Sequence, residues 1–342
     1  MKTSTIPLVS LLAAVFAATP PAHAQERYIL VDGSSTVYPV MKIASEEFGK
    51  QLDDRVKREV AFSGTSGGLR KFIAGEIDIA NASRPITREE IKAAKEYDIP
   101  YVEVPIAYDA LTIAVNPKND WVDSIRISEL KKMWELAAEG KITRWNQIRP
   151  EWPDKELKLY GAGNDSGTHD YFSEVVVGKK VGLRTDYTGS EDDDVLIEGI
   201  EKEEGSLGFI PLAYFTKEGD KLKALAVQWD YNAEAGIPVQ AGPPTMPSKE
   251  AVLQGAYMPF GRPLFLYVSV TSLEAKPHLK EFLQFFLINA DSYVDQAHYL
   301  SLPKISYARS IADLEAKRTG TRFSGVPEVR MSVYDLLNRK PR

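Results

Sequence analysis

The chain has 342 residues, 44% of them hydrophobic and 26% charged, proportions that suit a globular protein with a real core and room for about two domains. Its formal net charge of −6 argues against a nucleic-acid partner, whose phosphates a chain of this sign repels. It has no cysteine, so the fold uses no disulfide and no cysteine is present to carry a lipid anchor.

The chain opens on Lys2, an apolar run "IPLVSLLAAVFAA" and then "TPPAHA". Ala22-His23-Ala24 fits the small-x-small cleavage rule, which predicts a signal peptide over residues 1–24, cut after Ala24. The competing reading is a membrane anchor, for which the apolar run is too short. The mature protein is therefore expected free in a bacterial periplasm.

From residue 25 on, strands and helices alternate. "RYILVDG" is a short apolar run ending in a turn, hence a strand. "VYPVMKIASEEFGKQL" places Val40, Ile43, Ala44, Phe48 and Leu52 at helical spacing. "VKREVAF" is a strand, and "GGLRKFIAG" a short helix closed by Gly75. "IDIANAS" is a strand; "TREEIKAAKEY" is a helix whose Thr87 and Glu90 form a capping box. This order predicts an α/β fold, with a mostly parallel sheet and ligands bound beyond the carboxyl ends of its strands.

Two later runs, "IAYDALTIAVNP" (106–117) and "RPLFLYVSV" (262–270), are long and β-rich, with an αβ region between them. Two readings follow from the pattern. Either the chain crosses into a second lobe and returns, or one large sheet carries an insertion.

Three strand-to-helix turns look alike: "VDGSSTVYP" (31–39), "FSGTSGGLRKF" (62–72) and "LYGAGNDSGTHDYF" (159–172). Each sets Ser, Thr or Gly at the first turn of a helix. Backbone N–H groups there have no partner within the helix, and the positive end of the helix dipole favours an anion. Glycine admits close approach and short hydroxyls donate to oxygen. A single such turn is usually only an N-cap. Three of them, each after a strand, point to a small anion. No Gly-Lys-Ser/Thr occurs, which excludes a nucleotide P-loop, and "GAGNDSG" lacks the spacing of a dinucleotide turn.

Through "GSSTVYP", "SGTSGGLRKFIAGEIDIANASRPI", "VPIAYDALTIAVNP", "KLYGAGNDSGTHDYF" and "GSLGFIPLAYF", the mature chain resembles the periplasmic phosphate-binding proteins of high-affinity phosphate ABC transporters. The resemblance implies the type II two-lobe fold, with two crossing hinge strands that let the lobes close on one phosphate. Residues 25–108 and 265–342 would form lobe 1 and residues 109–264 lobe 2. Inorganic phosphate, an inner-membrane ABC permease and its ATPase are the implied partners; the protein is expected to be a monomer without cofactor. Carried over by motif, Ser35, Thr36 and the Val37 amide bind from the first turn. Thr65 and Ser66 bind from the second; Ser166, Gly167 and Thr168 bind from the third. Anchored on Pro39, the match sets Val37 and Tyr38 where the family has Thr-Phe.

Two positions depart from that pattern. Where well-known members have an Asp that accepts the proton remaining on phosphate, this chain has Arg84; where they have an Arg ahead of Ser-Gly-Thr, it has Ala162. The expectation is that the guanidinium has changed lobes, with Arg84 making a charge-assisted contact to the anion. The plainer alternative is a salt bridge. The lost acceptor would be replaced by Asp165, or by Asp109 as a second candidate; either residue also suits a structural role. An acceptor matters because phosphate keeps a proton that sulfate lacks, and a site built around an O–H rejects an analogue without it.

An enzyme reading lacks a constellation. Of the four histidines (His23, His169, His278 and His298), no two stand at metal-ligand spacing. His169 beside Thr168 lacks a third partner for nucleophilic catalysis. The acidic run Glu191–Asp194 lacks the spaced ligands of a calcium loop and reads as a helix start after Ser190. Binding of arsenate, sulfate or molybdate, and a secreted phosphatase, are the alternatives.

Overall fold

The structure is a computed structural model that describes residues 28–51, 56–164, 166–178, 180–190, 192–218, 221–323, 325 and 332–342. The expected signal peptide and the candidate acceptor Asp165 lie outside the described residues.

Eight strands carry the architecture: β1 (Tyr28–Gly33), β2 (Lys57–Val60), β3 (Ile79–Ala82), β4 (Tyr101–Val115), β5 (Lys158–Ala162), β6 (Thr188–Ser190), β7 (Ser206–Pro211) and β8 (Gly261–Ser269). They hydrogen-bond in the order β2-β1-β3-β8-β4-β7-β5-β6. The pairs β1–β2, β1–β3, β5–β6 and β5–β7 are parallel, as the alternating pattern predicts. The centre is not: β8 runs antiparallel to β3 and β4, and β4 antiparallel to β7. The mostly parallel sheet expected from the pattern is thus split by its two longest strands.

β4 belongs to both halves of the sheet. Tyr101–Ala110 pair with β8, and Leu111–Val115 pair with β7. All fifteen of its residues are buried, as expected of a strand covered on both faces. β8 returns along its first half, Arg262 opposite Asp109.

The helices that matter here are α1 (Tyr38–Gln51), α2 (Thr65–Ile73), α3 (Arg88–Glu96), α4 (Gly167–Val176) and α5 (Asp193–Lys202). α3 carries the expected capping box, with Thr87 accepting from the Glu90 amide and Glu90 from the Thr87 amide. α5 starts at Asp193, with Asp192 as its N-cap, so described residues of the acidic run do begin a helix. α4 is fixed to the sheet by aromatic packing: Phe172 stacks on Phe209 with ring centroids 3.8 Å apart, and Trp134 meets both edge-on. Each such buried ring contributes about 2–3 kcal/mol.

The segment near the C-terminus packs into the core. Arg322 N donates to Glu103 Oε1 at 2.9 Å, and Tyr267 Oη to Glu103 Oε2 at 3.1 Å. Tyr267 Oη in turn accepts from the Ile86 amide at 2.8 Å, which ties this cluster to the strand end carrying Arg84.

Candidate anion-binding site

The first two turns are held together by backbone. Ser34 N donates to Asn81 O at 2.9 Å, and Ser63 N to Gly33 O at 3.0 Å. The contact is close enough to demand glycine: a Cβ on Gly68, in α2, would lie 2.4 Å from Gly33 Cα. The chain beyond β1, the start of α2 and the end of β3 therefore meet at one place.

They meet at the floor of a cavity of about 970 Å³. Of the expected ligands, Ser35, Thr36, Thr65, Ser66 and Arg84 all line it. Ser34, Ser63 and Ser83 add further hydroxyls. Thr65 Oγ1 and Ser83 Oγ are 3.1 Å apart, and Thr65 Oγ1 also accepts from the Ser83 amide. Val37 is fully buried behind this wall, and its amide donates to Ser34 O at 3.2 Å.

The third turn behaves differently. Ser166 caps α4, its Oγ accepting from Thr168 N at 3.1 Å. Ser166 and Thr168 are not among the described residues lining the cavity. α4 reaches it from the next turn on, through Asp170, Tyr171, Ser173, Glu174 and Val175. Two of the three turns are thus brought together around the cavity, and the helix begun by the third lines it as well.

Arg84 makes the salt bridge that was the plainer expectation, yet stays in the cavity. Its Nη1 and Nη2 donate to Glu90 Oε2 and Oε1 at 2.9 and 2.8 Å, and Nη2 also donates to Ser66 Oγ at 2.9 Å. Burial alone would raise the Glu90 carboxyl, but the Arg84 bonds and the Thr87 amide outweigh it and hold Glu90 below the ordinary range. Arg84 is correspondingly raised, the Glu90 bond outweighing burial. Ala162, where an arginine stands in the resembled family, is buried in β5.

Asp109 lies beneath the cavity and does not line it. Burial pushes its carboxyl up, against the pull of Arg262. Arg262 does line the cavity, and motif reasoning missed it. Its Nε and Nη2 donate to Asp109 Oδ2 at 3.1 and 3.0 Å, and Nη2 donates to Thr36 Oγ1 at 3.1 Å. Its guanidinium lies 3.6 Å over the Tyr171 ring. Its sequence signal was faint: an arginine facing an aspartate 153 positions away across two strands.

The wall carries few candidates for other chemistry. His169 Nδ1 is 3.6 Å from Asp170 Oδ1, beyond hydrogen-bonding range, and no group of three or more His, Cys, Asp or Glu clusters for a metal among the described residues.

Comparison with known proteins places this geometry. Residues 19–290 match the model of the PBP superfamily domain. The chain is 40% identical over 337 residues to the protein SphX of Synechocystis sp., covering 98% of this chain and 96% of that one. It is 34% identical over 284 residues to the phosphate-binding protein PstS of Staphylococcus saprophyticus, covering 83% of each. Among solved structures, a possible phosphate binding protein from Planctomyces limnophilus superposes with a TM-score of 0.77 at 37% identity, over 85% of this chain and 98% of that one. The curled α/β sheet shared by both halves through β4 is the type II periplasmic binding protein fold, and the chain belongs to the PBP superfamily, in the family of the SphX and PstS proteins.

Proposed function

We propose that the protein captures inorganic phosphate in the periplasm and delivers it to an inner-membrane ABC permease and its ATPase. The observation that carries this reading is the floor of the cavity: Ser35, Thr36, Thr65 and Ser66 beside Arg84, at the starts of two helices. Hydroxyls, amides and guanidinium groups suit a small oxyanion, and an acidic protein can hold one because these groups act within the Debye length of about 8 Å. Relatives of this chain are named as phosphate-binding proteins, which favours phosphate over other oxyanions and a binding role over phosphatase activity.

In this reading residues 25–108 and 265–342 form one lobe and residues 109–264 the other, after removal of residues 1–24. The cavity, about 970 Å³, is of a size that suits a far larger ligand than a tetrahedral oxyanion. Closure about β4 and β8 brings Ser166, Gly167 and Thr168 over the anion bound to the first two turns, excluding water. Phosphate must then bind the closed state better than the open one. Asp165, next to the α4 cap, accepts the remaining proton. The protein works as a monomer and turns nothing over.

Calorimetry tests this. Phosphate should bind at one site, and Asp165→Asn should let sulfate compete. Sulfate that stays excluded in that variant removes Asp165 from the role.

A further inference from the structure

Each hydroxyl turn at the cavity floor is keyed by one arginine. Arg84 Nη2 donates to Ser66 Oγ at 2.9 Å, and Arg262 Nη2 donates to Thr36 Oγ1 at 3.1 Å. A hydroxyl carries a single proton. Once its oxygen accepts from a guanidinium, that proton is free to be donated to another acceptor, and both residues line the cavity.

We propose that Arg262 is a positioning residue of the anion site, holding the Thr36 hydroxyl so that its proton is offered as a donor to a ligand oxygen in the cavity. The inference rests on the phosphate reading above and adds a residue to it. Arg262 suits the task because it is itself held. Asp109 takes two of its donors from beneath, and Tyr171 of α4 covers its face at 3.6 Å. A planar fork locked in this way is pre-organised, which a flexible ammonium is not. Its side chain is only 14% exposed, so the bond to Thr36 competes little with water. Tyr171 of α4 and Thr36 of the first turn both line the cavity and both contact this guanidinium, which thereby couples the position of α4 to the first turn.

The test is a double-mutant cycle read by phosphate calorimetry on the full mature chain, using Thr36→Val, Arg262→Lys and the pair. Arg262→Lys keeps a cation against buried Asp109; its melting temperature without phosphate checks the fold. If it does not fold, Arg262→Gln combined with Asp109→Asn takes its place in the cycle. Each single change should weaken phosphate binding by about tenfold or more, and the pair should be no weaker than the worse single within about threefold. Ser35→Ala, whose hydroxyl receives no bond from Arg262, should instead combine with Arg262→Lys multiplicatively. Losses that multiply for Thr36 as they do for Ser35 overturn the proposal, as does unchanged affinity in folded Arg262→Lys. A wild-type chain that fails to bind phosphate overturns the phosphate reading and this inference with it; a wild-type chain that binds, with Arg262→Lys unaffected, overturns this inference alone.

Discussion

Arg84 and Glu90 form a two-pronged ion pair, both Nη atoms of the arginine meeting both carboxylate oxygens at 2.8–2.9 Å, at the edge of the hydroxyl-lined cavity. The pair fixes the plane of the guanidinium, and Ser66 shares its Nη2. Nη1 also donates to Pro85 O at 3.1 Å, so both Nη groups are fully engaged and an anion contact by Arg84 falls to its Nε–H or requires one of these bonds to be exchanged. Arg84→Ala should weaken phosphate binding at least about tenfold by calorimetry, the scale of one charge-assisted bond. Unchanged affinity would take Arg84 out of the site and leave it the salt bridge alone.

The same pair predicts a pH dependence. Glu90 releases its proton more readily folded than unfolded. Its contribution is therefore present above the unfolded glutamate value, about 4.3, and fades as pH falls through the lower folded value. Glu90→Gln should cost about 1–3 kcal/mol at pH 7. In denaturant melts the gap to wild type should close as the pH drops below about 4. A gap that persists undiminished in acid would mean that the ion pair is not its source.

Gly68 lets α2 lie against the turn after β1. Gly68→Ala would place a methyl group 2.4 Å from Gly33 Cα and 2.8 Å from Asp32 O, backbone that cannot yield without moving the turn. We expect a loss of about 1–3 kcal/mol in stability, with weaker phosphate binding because the two hydroxyl turns are pushed apart. Full affinity in a destabilised variant would show that their spacing is not critical.

Ser166 separates capping from ligand binding. Ser166→Ala removes the bond from Thr168 N and should cost about 1 kcal/mol. Ser166→Asp restores a cap and favours the helix N-terminus, yet sets a negative charge beside the proposed anion. Melting temperature should recover in the Asp variant while phosphate binding is abolished. Strong binding by Ser166→Asp would leave Ser166 a cap and nothing more.

Much of the fold was legible because local rules act on neighbours in sequence. The spacing of Val40, Ala44 and Phe48 in α1 and the Thr87–Glu90 box of α3 need no distant partner. The hydroxyl turns were legible for the same reason, being strand-to-helix junctions. What escaped was long-range. Nothing near Arg262 in the chain announces that β8 will set it opposite Asp109 of β4, or that Tyr171 will cover it. The antiparallel centre of the sheet escaped likewise, since pairing direction between β3, β8 and β4 depends on the return of the chain after a long excursion. Motif matching placed Ser166–Thr168 on the anion; among the described residues, α4 lines the cavity through Asp170, Tyr171, Ser173, Glu174 and Val175.

Titration calorimetry of residues 25–342 with inorganic phosphate, repeated in excess sulfate, bears most directly on the claim that this cavity holds phosphate. The account predicts saturation at one phosphate per chain with sulfate leaving the isotherm unmoved. No heat of phosphate binding, or equal displacement by sulfate, would contradict it.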